Sequence, residues 1–265
     1  MNTVARIILG IVLLVAAKRS LRAGAPLQPG ERLEFSVTWA IVPGAGKIVV
    51  SADDAGPGRI KVTTTTSTRG LARLLLPFDA TAEALYDTAT GQLLSLHDRT
   101  SARGKHAEHI ANFDYANREA SYVAVGSTKP TYFKIPEGSP RDLITALLST
   151  RDWKMRPGDA RDALVLFNDE FYLLTIHAES YETVETDLGR FKALVLEPKM
   201  EKTPPKGMFK KGASVRVWIS QDDRHLPVRF EVGFNIGTGV ATLDAYQPPT
   251  ERAAAVTSLA PAASK

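Results

Sequence analysis

The residues best suited to chemistry stand together in the stretch WISQDDRHLP, residues 218–227. Asp222 and Asp223 are adjacent carboxylates, and Arg224 and His225 follow them directly. A carboxylate pair can transfer protons only when its two groups have environments that separate their pKa values. Alternating strand patterns flank QDDRH on both sides, so both carboxylates would share one solvated loop tip. We therefore interpret this stretch as the link of a β-hairpin and not as an active site.

Other candidate residues do not assemble into a catalytic or metal-binding set. His106 and His109 would share one face of a helix, but in a strand they point to opposite sides. Acidic residues on one side of a single strand are typical of the solvent-facing side of an antiparallel sheet, and this describes Asp79, Glu83 and Asp87. The chain contains no cysteine, which excludes disulfides, thiolate metal sites and cysteine nucleophiles. We expect no catalytic residues, no metal and no cofactor.

Composition indicates a globular domain that does not bind nucleic acid. Hydrophobic residues make up 44% of the chain and charged residues 23%, which is enough apolar material for a sizeable core. The net charge of +4 comes from basic residues that alternate with acidic ones. A nucleic-acid-binding protein would concentrate its positive charge in a stripe or on one helix, and no such footprint is present.

The N-terminus has the pattern of a secretory signal peptide over residues 1–25. Its apolar run from residue 7 to 17 is too short to span a bilayer, and cleavage would follow Ala17 or Ala25. The basic residues at 18–22 oppose translocation, so an uncleaved anchor is the alternative. We expect a periplasmic product, which is not a lipoprotein because it has no cysteine.

After the leader, hydrophobicity alternates with a period of two, as in RLEFSVTW, and turn signals recur about every ten residues. VPGAG at residues 42–46 is one predicted turn. The fold class is therefore mainly β, a single antiparallel meander sheet curled into an open or half barrel. We assign residues 29–247 to one β-rich domain and residues 248–265 to a disordered tail.

One amphipathic helix interrupts the strands at about residues 140–153 and is expected to pack on the sheet. Ser139 could cap it and Pro140 would occupy its first position. Leu143 and Leu147 recur at helical spacing. Further upstream, the leucines of GLARLLLP predict one or two additional helical turns before Pro77.

The order of several motifs resembles the bacterial domain of unknown function 3108 (DUF3108) family. PGERLEFSVTW, the helix segment ending in RPGD and VWISQDDRHLPVRF carry the resemblance, which covers about residues 29–245. The resemblance implies an exported, β-rich, single-domain envelope protein. It implies no catalytic residues.

We expect non-enzymatic binding of a lipid or other amphiphile, held between the helix and the inner face of the sheet. A structural or interaction module for an envelope partner protein is the alternative. The pattern also leaves open that the helix and the sheet close on each other and form a solid core without a ligand cavity. The pattern leaves the oligomeric state open. The candidate ligand-binding residues are the apolar side chains Trp39, Leu143, Leu147, Trp153, Trp218 and Phe230.

The leader pattern predicts that the protein is exported and trimmed after Ala17 or Ala25. Intact-mass measurement of the protein from an envelope fraction tests this prediction. A full-length species that begins at Met1 and remains in the cytosol would contradict it.

Overall fold

A computed structural model of the chain describes residues 25–205, 209, 213–234 and 237–250. These residues form one sheet of fourteen strands and two short α-helices. The elements are β1 (Arg32–Trp39), β2 (Val42–Asp54), β3 (Arg59–Thr68), α1 (Gly70–Leu75), β4 (Phe78–Asp87), β5 (Leu93–Ala102), β6 (Lys105–Asp114), β7 (Glu119–Ala124), β8 (Thr131–Lys134), α2 (Leu143–Ser149), β9 (Ala160–Phe167), β10 (Glu170–Thr186), β11 (Gly189–Lys199), β12 (Ser214–Ser220), β13 (Pro227–Phe234) and β14 (Gly237–Gln247).

The sheet consists of two antiparallel meanders that meet along one seam. Strands β1 to β8 follow one another in sequence order, and so do β9 to β14, while β14 pairs with β1 at the junction. The sheet ends at β8 and β9 and does not close into a barrel. Register shifts in β1, β4, β10 and β12 bend the strands, because a bulge increases local twist. The mainly β prediction with a single meander sheet is confirmed.

Because the strands are antiparallel, their connections alternate between two ends of the sheet. We call these the α1 end and the α2 end, after the helix that each carries. Between β1 and β8, the connections at the α1 end are residues 40–41, 69–77, 103–104 and 125–130. The connections at the α2 end are residues 55–58, 88–92 and 115–118, followed by the long segment from β8 to β9 at 135–159.

Helix α2 begins later than the sequence predicted. The cap is Asp142, whose carboxylate accepts a hydrogen bond from the backbone N–H of Thr145 at 3.1 Å. Ser139 and Pro140 therefore precede the helix, because the backbone of Arg141 instead pairs with β9 through Leu164 and Leu166. After Ser149, one 3₁₀ turn at Thr150–Asp152 completes the segment. The predicted helix at 140–153 is thus confirmed in position but shorter in extent.

Helix α2 fills the curled sheet at its own end, where core residues surround it. Leu147 is 3% exposed and belongs to a cluster with Val165, Ile176 and Ile219, which come from three strands of the second meander. Leu148 has no exposed surface and belongs to a second cluster, which contains residues of the first meander. The helix therefore joins the inner faces of both halves of the sheet in one closed core.

Polar contacts fix α2 and the 3₁₀ turn to elements that are distant in sequence. The Tyr86 hydroxyl of β4 donates to the Thr145 hydroxyl at 2.7 Å. The Arg151 guanidinium forms an ion pair with Glu31 at 2.8 Å and donates to the backbone oxygen of His225 at 3.0 Å. Glu31 is nearly inaccessible, so this pair lies in a low-dielectric environment.

Two smaller details differ from the sequence predictions, and one agrees with them. The first turn lies at Ala40 and Ile41 and not at 42–46, because β2 already begins at Val42 and Ala40 adopts a positive φ of 51°. The short strand β8 has no counterpart among the predicted elements. The helical turn before Pro77 is confirmed as α1.

The leader and most of the predicted tail, from residue 251, lie outside the described residues.

The Arg151–Glu31 pair should contribute strongly to stability. We expect Arg151→Ala to lower the free energy of unfolding by about 3 kcal/mol, because it leaves the buried Glu31 carboxylate without its charge partner. The matched control is Arg190→Ala, which breaks a pair with Glu185 whose side chains are both 72% exposed. This control should cost less than about 1 kcal/mol. Equal losses of unfolding free energy in the two variants, measured by chemical denaturation, would contradict a strong contribution of the Arg151–Glu31 pair.

Candidate functional site

The inner face of the sheet can be followed from strand to strand by the pairing register. Residues that pair directly across neighbouring strands share a face. Tyr86 reaches α2, so the even-numbered residues of β4 face inward. The same register then places one inward row across six strands, consisting of Leu33, Val50, Thr64, Ala82, Asp98 and His109.

One wall of the interior is apolar and aromatic. The rings of Phe35 and Phe230 meet edge to face with their centroids 5.2 Å apart. Towards the α1 end, Val37, Ile48 and Phe230 pack on the core but are only half-buried. Although α2 contributes Leu147 and Leu148 to the two core clusters, it leaves these three side chains partly exposed. As far as the described residues show, part of the apolar inner surface therefore remains accessible.

Trp39 extends this wall at the α1 end. It pairs with Gly239 of β14, and Gly239 pairs with Val232 of β13. A Cβ atom at Gly239 would lie only 3.2 Å from the Trp39 ring, so the indole lies directly over the glycine backbone. Any larger residue at 239 would displace the ring. Glycine in β14 thus positions a half-buried indole at the accessible end of the interior.

The facing wall, from β5 to β7, carries polar groups. Asp98 pairs with His109 across β5 and β6, and the imidazole of His109 stacks on the Tyr122 ring at a centroid distance of 4.9 Å. Within the described part of the chain, the Asp98 carboxylate has no hydrogen bond or ion pair. All three side chains are half-buried. The interior thus combines an apolar wall with carboxylate, imidazole and phenol groups.

Burial changes the titration of the acidic groups between this wall and α2. It raises the pKa of Asp98 to about 6, assisted by repulsion from the Asp142 carboxylate. Burial also raises the pKa of Asp142, although hydrogen bonds from Thr145 oppose the shift. The pKa of Tyr86 is raised by burial and by the nearby Asp142 charge. These groups form one coupled polar layer at the N-terminal end of α2.

Four of the six predicted ligand-binding residues lie together. Leu147 is a core member of the cluster on the second meander, and Leu143, Trp153 and Phe230 pack against that cluster. Trp39 lies apart from them, over β14. Leu147 is closed into the core, which leaves Phe230 and Trp39 as the predicted residues on the accessible inner wall.

Trp218 belongs to the other core cluster, which contains Leu148 and also packs against Phe230, and not to the cluster of Leu147. It alternates with Val217 and Ile219 along β12 and therefore faces the opposite side of that strand. Its ring lies 5.3 Å from the Arg216 guanidinium and 4.9 Å from that of Arg229, and its Nε1 donates to Glu182 at 2.9 Å. These partners account for its position without a ligand.

A separate cleft of about 510 Å³ lies beside α2, against β9. Trp153 lines it and stacks on Arg161 at 5.2 Å. The cleft also contains the charged residues Glu137, Arg141, Asp152 and Asp162. Burying a hydrocarbon chain here would remove water from several charges, which costs free energy. The cleft fits a polar group better than an acyl chain.

QDDRH forms the predicted link between β12 and β13. Asp222 accepts a hydrogen bond from Ser220 at 2.6 Å and pairs with Arg224 at 2.6 Å. Burial raises the pKa of Asp222, but these hydrogen bonds outweigh it and hold the pKa below its usual value. Asp223 is exposed. The absence of a catalytic role stays a prediction.

The remaining candidates occupy the positions that the strand pattern indicated. His106 and His109 both lie in β6, three residues apart and hence on opposite faces. Asp79 pairs with Arg73 at 2.7 Å, and Glu83 lies 3.4 Å from Arg99. Among the described residues, no group of three His, Asp or Glu side chains could hold a metal ion. None of the helices in the described ranges is both long and apolar enough for a membrane crossing.

Sequence reasoning missed the polar wall of Asp98, His109 and Tyr122. The three residues belong to three different strands, and only the pairing register brings them to one face. A usable signal was present in LLSLHDRT, where Asp98 falls on the same strand face as the buried Leu96. A carboxylate in phase with the core residues of its strand indicates a polar group in the interior.

Comparison with known proteins identifies a family and a fold. The family described as "Protein of unknown function (DUF3108)" matches residues 34–244. No curated protein matches the chain. A β-barrel-like protein of domain of unknown function DUF1849 from Brucella abortus has a similar structure, with a TM-score of 0.52 and 9% identity over 84% of this chain and 98% of that one. This likeness supports the fold alone.

Two further solved structures overlap with weaker agreement. One is from Bacteroides fragilis and is described as an exported protein with a YmcC-like fold, with a TM-score of 0.34 and 13% identity over 84% of this chain and 98% of that one. The other is from Parabacteroides distasonis and is described as a lipoprotein, with a TM-score of 0.30 and 8% identity over 84% of this chain and 99% of that one.

The raised pKa of Asp98 predicts a pH-dependent stability. The folded protein favours the protonated carboxyl group, so the stability that Asp98 contributes is present below pH 3.8 and is lost as the pH rises through about 6. Compared with Asp98→Asn, the wild type should therefore lose on the order of 1–2 kcal/mol of unfolding free energy over this range.

The control for this titration is Asp79→Asn. The Arg73 ion pair lowers the pKa of Asp79, so its removal should change the pH profile with the opposite sign. Urea denaturation at a series of pH values measures both effects. A wild-type profile parallel to that of Asp98→Asn would show that Asp98 is not desolvated.

Proposed function

The chain belongs to the DUF3108 family, and we propose that it is a non-enzymatic envelope protein that binds an amphiphile inside its curled sheet. One observation carries the proposal. The inner wall beyond α2, with Val37, Trp39, Ile48 and Phe230, is apolar and aromatic but only half-buried. A folded domain gains stability by covering such a surface, and α2 covers only the other end.

The free energy available from this wall favours an apolar ligand. Removing apolar surface from water yields roughly 25 cal/mol per Å². Small-molecule sites are typically concave and mostly apolar, with a few polar groups that orient the ligand. The wall of β1, β2, β13 and β14 provides the apolar part of this arrangement. A hydrocarbon chain lying along Phe230 and Trp39 would bury the part of the apolar inner wall that α2 leaves exposed.

The polar part of the ligand would face Asp98 and His109. The Asp98 carboxylate can accept hydrogen bonds from hydroxyl or amine groups, and it can donate one when protonated. Its raised pKa of about 6 makes both states accessible near neutral pH. Binding of a ligand amine would favour the ionised carboxylate. The proposed ligand is therefore an amphiphile whose polar group carries hydroxyl or amine hydrogens.

The proposed location is the periplasm. Its support is the N-terminal pattern, in which the apolar run at residues 7–17 precedes small residues at two candidate cleavage sites. An amphiphile-binding protein in this compartment would lie between two membranes, where hydrocarbon chains need protection from water.

A second candidate function is a structural or interaction module for an envelope partner protein. The observation that favours it is the open sheet: among the described strands, β8 pairs only with β7 and β9 only with β10. Arg141 covers part of β9 through a single parallel bridge to Val165. An added strand from a partner could extend either edge, because unpaired backbone groups accept β-augmentation.

The binding site predicts opposite effects for two tryptophan substitutions. Ile48→Trp should fill the accessible interior, so that uptake of a fluorescent fatty-acid probe falls while the melting temperature holds or rises. Leu147→Trp enters the closed core around α2, where overpacking should cost roughly 1–3 kcal/mol.

Thr65→Trp is the matched control, because Thr65 is exposed and pairs with Val49 on the outer face of the same two strands. It should leave both uptake and stability unchanged. Titration of the fluorescent probe into each purified variant measures uptake, and thermal denaturation of the same variants measures stability. Full uptake by Ile48→Trp, or none by the wild type, would contradict the interior site and favour the interaction module.

A further inference from the structure

Helix α1 exposes an apolar cluster at the accessible end of the sheet. Leu71, Leu74 and Leu75 are 68%, 80% and 82% exposed, and Leu76 directly after the helix is 45% exposed. The helix has no buried residue. Ile41, in the β1–β2 turn at the same end, is 93% exposed. Contiguous exposed aliphatic side chains of this size usually mark an interaction surface.

The leucines do not hold α1 in place, because polar contacts do. The Thr68 hydroxyl donates to the backbone oxygen of Leu76 at 2.8 Å and accepts from the N–H of Phe78 at 3.0 Å, which closes the loop at its base. Arg73 forms two hydrogen bonds with the Asp79 carboxylate, at 2.9 and 2.7 Å. The conformation of α1 is therefore determined without apolar burial, and its leucines remain available.

Positive charge surrounds this apolar cluster. The connections at residues 69–77, 103–104 and 125–130, with the first residue of β6, contain Arg69, Arg73, Arg103, Lys105 and Lys129 and no carboxylate, and of these Arg73 is paired with Asp79 of β4. The N–H of Arg103 donates to the Pro77 oxygen at 3.1 Å, which places this basic turn beside the end of α1. At the opposite end, the terminal residues of the same strands include the carboxylates Asp53, Asp54, Asp87, Asp114 and Glu119, beside the basic residues Arg59, Arg118 and Lys134.

We propose that α1 and the surrounding basic turns form a peripheral docking surface for an anionic lipid bilayer. Four leucines and Ile41 would enter the headgroup region, while the arginine and lysine side chains contact phosphate groups around them. Apolar insertion combined with basic residues is the arrangement that holds proteins at the interface of anionic membranes. The α2 end, where carboxylates and basic residues are mixed, would point away from the bilayer.

This docking surface goes beyond the proposed interior site. It places the accessible end of the sheet, with Trp39 and the inner wall, towards the membrane. A ligand could then pass between bilayer and interior without crossing water. The surface itself requires no interior ligand, since its leucines and basic residues act directly on the lipid surface.

Sedimentation of the purified protein with vesicles tests the proposal. We expect the protein to bind vesicles that contain phosphatidylglycerol more tightly than vesicles of phosphatidylcholine alone, and binding should weaken with added salt. The triple variant Leu71→Ser, Leu74→Ser, Leu75→Ser should bind at least about tenfold more weakly, because it loses most of the inserted apolar surface. Its melting temperature should not change, since none of these side chains is buried.

Two further variants separate the apolar and electrostatic contributions. Leu188→Ser removes a leucine that is 39% exposed in the β10–β11 turn at the α2 end and should bind vesicles like the wild type. Replacing Arg69, Arg103 and Lys105 by Gln should remove the preference for phosphatidylglycerol. Equal vesicle binding by wild type and triple variant would overturn the proposal. So would a wild type that ignores vesicles and instead forms leucine-dependent dimers or binds another protein through α1.

The result of the vesicle-binding experiment does not depend on whether the interior site binds an amphiphile. Uptake of the fatty-acid probe is measured without vesicles and should be unchanged in the triple variant, because its substitutions lie outside the interior. Loss of vesicle binding with full uptake supports both proposals. Vesicle binding by a wild type that takes up no probe supports the docking surface and contradicts the amphiphile site alone.

Discussion

The fold depends on how one short helix closes the inner face of a very wide sheet. Helix α2 connects the two edge strands, and its leucines join the cores of both meanders. The Asp142 cap and the Arg151–Glu31 ion pair determine where it begins and where it is held. Without α2, the core residues that surround Leu147 and Leu148 would be exposed to water at this end of the sheet.

Because α2 occupies only one end, the other end has a different chemical character. Its inner wall carries half-buried aromatic and aliphatic side chains. The polar wall of Asp98, His109 and Tyr122 borders α2, because the Asp142 carboxylate at the start of the helix repels that of Asp98. The rim of the α1 end carries exposed leucines and basic residues, whereas carboxylates and basic residues are mixed at the α2 end. The position of α2 at one end of the sheet thus accounts for where the proposed ligand site lies and for how a ligand would enter it. It is also consistent with the proposed orientation of the protein on a lipid surface.

Period-two alternation was sufficient to predict most strands, the meander and the hairpin at QDDRH, because each of these is a local property. The helix was predicted in place, but the Ser139 and Pro140 signals were weaker than the actual cap at Asp142, since Arg141 is drawn into pairing with β9. Alternation along β12 could have separated Trp218 from Val217 and Ile219. The polar wall could not be predicted in full, because it requires the register of β5, β6 and β7 and the position of α2.

The central claim is that an amphiphile occupies the interior of the curled sheet. The most direct measurement is purification of the protein from its native envelope fraction without detergent, followed by solvent extraction and quantitative lipid mass spectrometry. We expect about one co-purifying amphiphile per chain, enriched in species whose polar group carries hydroxyl or amine hydrogens. Protein free of any stoichiometric lipid, with its inner wall at Phe230 and Trp39 closed by side-chain packing in an experimental structure, would contradict it.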